Sequence, residues 1–256
     1  MTGFMALMRM LLGLGAVLLV AGCGGRPREP APAIPAEVAY RRAMQQYRRG
    51  DCKHAREGLG QVTAWLSPRD TLVALALYYQ AECDFAGGLY LEASRQFRRV
   101  ADEHAASRVA PDALLRAGDA QAELWKHPEL DPEYGQAAMT TYRELVARFP
   151  ESPAAARARI KLAALTDKFA EKEYRNGLFY FRLKAYDSAI LYFRSVVADY
   201  PQSRVAPLAL LKLVRVYGVL DYQDERRETC DHLRRYYPQT AGLAAACPPA
   251  DQASSR

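Results

Sequence analysis

Histidine is scarce, and the few present do not cluster. His54, His104, His127 and His232 are the only four in 256 residues. None stands in an HExxH or other ligand spacing, so a metal-dependent hydrolase has no donor set here. G-x-S-x-G, Walker and G-x-G-x-x-G runs are also missing, which removes the common nucleophile elbows and phosphate-cradling loops. The sequence therefore gives no reason to expect an enzyme, a cofactor or a metal, and the histidines read as surface or helix-capping residues. No strand-length run alternates with period two. Neither sign of charge dominates: 35 Lys and Arg against 29 Asp and Glu give a formal +6, or about +5 without Arg9. The arginines mostly fall beside glutamates on helix faces. That balance is too even for a nucleic-acid footprint, so no nucleic-acid partner is expected. Glycine and proline are confined to punctuating positions while Ala, Leu, Arg, Glu and Tyr fill the body, which is helical usage.

The first residues stand apart from that body. They run MTGFMALMRMLLGLGAVLLVAGCGG, with an uncharged stretch from Met10 to Gly22. A run this short, closed by small residues, has the pattern of a cleaved signal peptide over 1–22 rather than a membrane span. Val20-Ala21-Gly22-Cys23 resembles the bacterial lipobox. The resemblance implies that Cys23 is acylated, palmitate included, and becomes the mature N-terminus of a lipoprotein held to a membrane outside the cytoplasm. Several acyl chains give stable anchoring where one would not. Gly24 in place of aspartate implies, by similarity to sorted lipoproteins, the outer membrane and its periplasmic face. GGRPREPAPAIP then offers four prolines and no apolar run, so 23–35 is expected to be a lipidated, Pro-rich tether. At the other end 248–256 is too polar and Pro-rich to fold alone. Residues 36–247 remain as the folded body.

Within that body one grammar recurs. Anchoring each copy on Ala55, Ala93, Ala138, Ala189 and, by position, Arg226 aligns Leu59, Phe97, Tyr142, Phe193 and Cys230 four residues later. Seven after the anchor come Val62, Val100, Leu145, Val196 and Leu233. Offsets of four and seven share a helical face, so these side chains belong to a common core. Twelve after the anchor stand Pro150, Pro201 and Pro238, with Ser67 and Ala105 in the other copies; proline there stops the helix. Upstream lies a first helix with a small residue (Ala43, Ala81, Gly177) and a glycine-marked turn at Gly50 or Gly87-Gly88. This resembles the tetratricopeptide (TPR) pattern of helix-turn-helix repeats. The expected fold is all-α, a TPR solenoid of about five repeats. Copy three carries an insertion, KHPELDPEYG, expected as a loop at the edge of the stack, and a further helix around 154–165 is expected before copy four.

Tyr40 and Tyr47, Tyr78 and Phe85, and Tyr174 and Phe181 recur seven apart on first helices, and Leu115 holds the place in copy three. In the TPR pattern these positions face a groove lined by the first helices. With Arg48, Glu82 and Arg182 beside the rings, such a groove suits an extended peptide or a partner's helix. The same rings could equally serve packing between neighbouring repeats. Cys52, Cys83, Cys230 and Cys247 form an even set with three possible connectivities. Their register favours Cys52–Cys83, at one end of the stack, and Cys230–Cys247, where TAGLAAAC would cap the last copy; buried free thiols are the alternative.

The lipobox, tether and repeats together, above all KAYDSAILYFRSVVADYPQSRVAPLALLKLVRVYGVL, are similar to the BamD family of outer-membrane lipoproteins. That resemblance implies a scaffold of the β-barrel assembly machinery. Its N-terminal repeats would receive unfolded outer-membrane protein substrates and its C-terminal repeats a BamA-like barrel subunit. This chain has Leu191-Tyr192 where that family usually carries an Asn-Arg pair. The rival reading is another periplasmic TPR lipoprotein that scaffolds cell-envelope or secretion complexes.

Overall fold

A computed structural model describes residues 35–248. The expected signal peptide, Cys23 and nearly all of the tether lie outside the described residues, as does the tail beyond Pro248. Helices follow one another without a strand among the described residues: α1 (Ala36–Arg48), α2 (Cys52–Trp65), α3 (Thr71–Ala86), α4 (Tyr90–Glu103), α5 (Ala110–Leu124), α6 (Glu133–Arg148), α7 (Pro153–Arg182), α8 (Tyr186–Asp199), α9 (Ala206–Leu220), α10 (Gln223–Tyr236) and α11 (Leu243–Ala246). Pairing α1 with α2, α3 with α4, and so on to α9 with α10 gives the five hairpins of a TPR solenoid.

Local chemistry sets the hairpin boundaries. Four of the five turns place one residue in left-handed backbone: Gly50, Gly88, Lys184 and Asp221. Each lies five positions before its repeat anchor. Only two of the four are glycine, so copies four and five accept the strain that glycine avoids. Asp51 and Asp70 cap α2 and α3 by accepting the backbone N–H of His54 at 3.2 Å and of Leu72 at 2.8 Å. Ser152 does the same for α7 through Ala155 N–H at 3.1 Å. Proline in the first turn of α5, α7 and α9 sits where no intrahelical donor is missed.

The repeat positions meet in the interior. Ala55, Ala93, Ala138 and Ala189 are fully buried, as are Leu59, Phe97, Phe193 and all five residues at offset seven. Close approach of first and second helices depends on the small position. A Cβ on Gly118 would stand 2.4 Å from Tyr142 Cε1, and one on Gly177 2.6 Å from Phe193 Cε1. Volume is exchanged across the pair: glycine faces a ring, while in the last repeat Val214 shares its cluster with the smaller Cys230. Disulfides join Cys52 to Cys83 across the first and second hairpins, Cα–Cα 5.2 Å, and Cys230 to Cys247 at the last, Cα–Cα 5.6 Å.

Two expectations need correction. The separate helix expected over 154–165 does not end there: it continues as α7, a single helix of 30 residues that also serves as the first helix of copy four. No glycine, asparagine or proline lies between Leu165 and Glu173, so no stop signal ends it. Leu115, assigned to the groove face, is instead buried in the core.

The insertion of copy three is built against α7. Trp125 is fully buried, 4.4 Å between ring centroids from Phe169, and its indole N–H donates to Leu130 O at 3.3 Å. Gly135 is small because a Cβ there would meet the Trp125 ring at 2.2 Å. Lys172 Nζ donates to the carbonyls of Pro128 and Leu130 at 2.9 and 3.0 Å, and Lys168 donates to that of Trp125. Burial holds the Lys168 amine below its ordinary pKa.

Candidate polypeptide-binding face

Backbones approach between α1 and α3, between α5 and α7, and between α7 and α9, so successive first helices share a layer. Side chains complete it where α3 meets α5. Arg116 of α5 grips Glu82 of α3 through two nitrogens, at 2.6 and 2.8 Å, and reaches Asp119 at 3.3 Å. Its guanidinium also lies 3.8 Å from the Phe85 ring centroid. Burial opposes the charge on Arg116, but Glu82 and Asp119 more than offset it and raise its pKa further. Asp119 accepts the Tyr142 hydroxyl at 2.7 Å and pairs with Lys161 of α7 at 3.0 Å. Burial first, and then Asp119, push the Tyr142 phenol well above its ordinary range.

The ring positions fall along this layer, half-buried rather than free. Tyr47 tilts against Tyr79 at 5.0 Å, and Tyr78 lies 5.4 Å from Phe97 and 5.3 Å from Tyr79. Burial, then the Glu82 carboxylate, raise the Tyr78 phenol. Phe85 meets Tyr90 edge-on at 5.1 Å. Tyr174 packs 5.7 Å from Phe193, and Phe181 lies under the cations of Lys212 at 5.5 Å and Arg215 at 5.3 Å. Tyr40 packs against the core of the first hairpins, while Arg48 and Arg182 are exposed. Glu82 is committed to Arg116, and Phe85 to Arg116 and Tyr90. The structure therefore brings Tyr47, Tyr78, Glu82 and Phe85 together and leaves Tyr174, Phe181 and Arg182 as a second group farther along. Each ring presents part of one face to solvent and uses the rest for packing.

Sequence reasoning missed Arg116, the hub of the first group. It carries no repeat signature, and the two groups that hold it most closely, Glu82 and Phe85, come from a different helix. It also missed Asp84, which is 1% exposed beside Cys83. Gln96 donates to Asp84 at 2.8 Å, and Arg56 Nη1 stands 2.8 Å from its other oxygen, though off the hydrogen-bond line. The layer offers partly exposed rings beside cations and carboxylates fixed in place. Such a surface can stack apolar side chains of an extended chain and exchange hydrogen bonds with its backbone. Among the described residues no group of three or more His, Cys, Asp or Glu is placed to hold a metal.

A family profile described as "YfiO: Outer membrane lipoprotein" matches residues 32–233. The outer membrane protein assembly factor BamD of Caulobacter vibrioides is 24% identical over 220 residues, covering 84% of this chain and 72% of its own. The protein of the same name from Neisseria gonorrhoeae is 28% identical over 224 residues, covering 83% and 78%. Among solved structures, the TPR2AB domain of yeast Sti1 in its pHSP90 complex is similar with a TM-score of 0.44 at 13% identity, covering 82% of this chain and 81% of that one.

Proposed function

The chain belongs to the outer membrane lipoprotein family that this profile defines, and from that premise we propose that it is a lipid-anchored scaffold for the assembly of outer-membrane β-barrels. The first-helix layer receives the unfolded barrel precursor as an extended segment. Tyr47, Tyr78 and Phe85 supply stacking faces, and Arg48 offers an exposed cation beside them. The second group, Tyr174, Phe181 and Arg182, continues the track toward the C-terminal hairpins, where a BamA-like barrel subunit docks. Cys23 carries the lipid. The chain does no chemistry on its client; it holds an extended polypeptide near the membrane until a barrel subunit takes it.

The observation that carries this reading is the partly exposed aromatic row of α1 and α3, held by Arg116 of α5, in a chain of this family. A photocrosslinking residue at Tyr78 or Tyr47 tests it in membranes. Crosslinks to unfolded barrel precursors are expected at these positions and not at Ile160, an exposed position on α7. A mild-detergent pull-down is expected to recover a BamA-like barrel protein. Consistent absence of both would turn the proposal toward another envelope scaffold.

A further inference from the structure

Arg41, Arg42, Arg48 and Arg49 follow one another at offsets of zero, one, seven and eight, and all four are exposed. At about 100° per residue they occupy one arc of the first helix and its end, with Gln45 between them. Ala39, Ala43 and Met44 point the other way, into the core. Glu37 is the only acid from Ala36 to Arg49. Among the described residues the ion pairs nearest in sequence, His54–Asp51 and Arg56–Asp84, involve none of the four.

Solvation alone does not ask for this arrangement. A terminal repeat needs a polar outer face, but mixed charge supplies that without repulsion. Near the far end of the stack α10 also has four arginines, and it interleaves four acids. There Arg227 pairs with Asp224 at 2.6 Å and Arg234 with Asp231 at 3.0 Å. Arginines of one sign a turn or two apart repel one another, so an unneutralised arc is costly unless something anionic faces it.

We propose that this arginine face docks on anionic phospholipid headgroups of the membrane that holds the chain. The proposal rests on acylation of Cys23, and the length of chain before α1 supports it. Residues 23–35 reach at most about 45 Å when fully extended, so α1, the first described element, lies within that distance of the anchor. A tether of that length keeps the helix at high effective concentration near the surface. Lipid phosphates accept charge-assisted, forked hydrogen bonds from guanidinium groups. Arg26 and Arg28 against Glu29 leave one net positive charge within the tether. Attraction fades beyond roughly 8 Å at physiological salt, so the face acts by contact.

The test uses the chain from Gly24 onward, which keeps every described helix and carries no acylable Cys23. It is floated with vesicles of phosphatidylcholine alone or of phosphatidylcholine with phosphatidylglycerol. Binding is expected only with phosphatidylglycerol, to weaken as salt rises, and to fall about tenfold or more in the Arg41→Gln/Arg42→Gln/Arg49→Gln variant. Arg226→Gln/Arg227→Gln/Arg235→Gln serves as the control for net charge, and circular dichroism checks that both variants remain helical. Equal binding to both vesicle types, or an α1 variant that behaves like the α10 control, would overturn the proposal. Capture of polyglutamate without capture of vesicles would assign the face to an acidic protein and overturn it as well. Acylation is read separately, from the mass of the protein extracted from cells, so failure of the anchor and failure of the face give different results.

Discussion

At the scale of the residue, the helix pairs are decided by what one position leaves unfilled. Gly177 and Gly118 exist because Phe193 and Tyr142 occupy the space of their missing side chains. Gly177→Ala is therefore expected to destabilise the protein by about 1–3 kcal/mol through overpacking, measured by urea unfolding. Adding Phe193→Leu should recover part of the loss; no recovery would show that backbone strain is the cause instead. Lys184 presents the opposite case. Its φ of 60° is left-handed, and Lys184→Gly is expected to raise stability by about 0.5–1 kcal/mol. Titration has a residue-scale signature too. Glu144 loses some hydration, yet its bonds from Arg148 and Arg98 hold its pKa below the ordinary carboxylate value. A depressed carboxylate contributes stability that is present above its unfolded pKa and is lost as pH falls through the folded one. Thermal melts are expected to weaken below about pH 4.5, and Glu144→Gln should flatten that slope.

At the scale of the element, the sequence was legible wherever a rule is local. Alanine anchors, offsets of four and seven, and the prolines that follow three of the five second helices all come from helical period and backbone sterics, and the helices obey them. The register of Cys52 and Cys83 was local in the same sense, because each sits at a hairpin end. Less was legible where no residue marks the event. The repeat pattern expects a break before copy four, and nothing in TDKFAEKE supplies one; Leu115 keeps the register of its neighbours, since Gly118 meets Tyr142 as Gly177 meets Phe193, yet it is buried in the core, which spacing alone does not mark. Arg116 and Asp84 could not be found because the partners that fix them, Glu82 and Phe85 for one and Gln96 and Arg56 for the other, lie on other helices, at distances set by packing rather than by spacing. The insertion reads as a plain loop in sequence, yet it hides a tryptophan under lysine-held carbonyls. The chain's other tryptophan, Trp65, is exposed, so fluorescence can tell the two apart. Lys168→Met/Lys172→Met is expected to open the Trp125 signal to acrylamide quenching while leaving that of Trp65 unchanged. Unaltered quenching would mean that the lysines do not hold the loop.

At the scale of the molecule, the interior of the described residues divides into three clusters rather than one. The smallest belongs to the first hairpins, and the Cys52–Cys83 bond ties α2 to α3 beside it. Cys52→Ser/Cys83→Ser is expected to cost about 2–4 kcal/mol. The loss should appear first as faster hydrogen exchange in α1 and α2, with α9 unaffected. Uniform acceleration along the chain would instead mean that the stack opens as one unit.

The undivided α7 has a consequence for how such a molecule can move. Up to Phe169 it contributes Ala154, Ala158 and Leu165 to one cluster, and from Ala170 onward it contributes to the next. At 1.5 Å per residue it is a rod about 45 Å long. With no joint between those two stretches, a push on the hairpins beside Trp125 is carried as torque to those around Phe193. A load placed on one end is thus felt at the other without any loop having to bend.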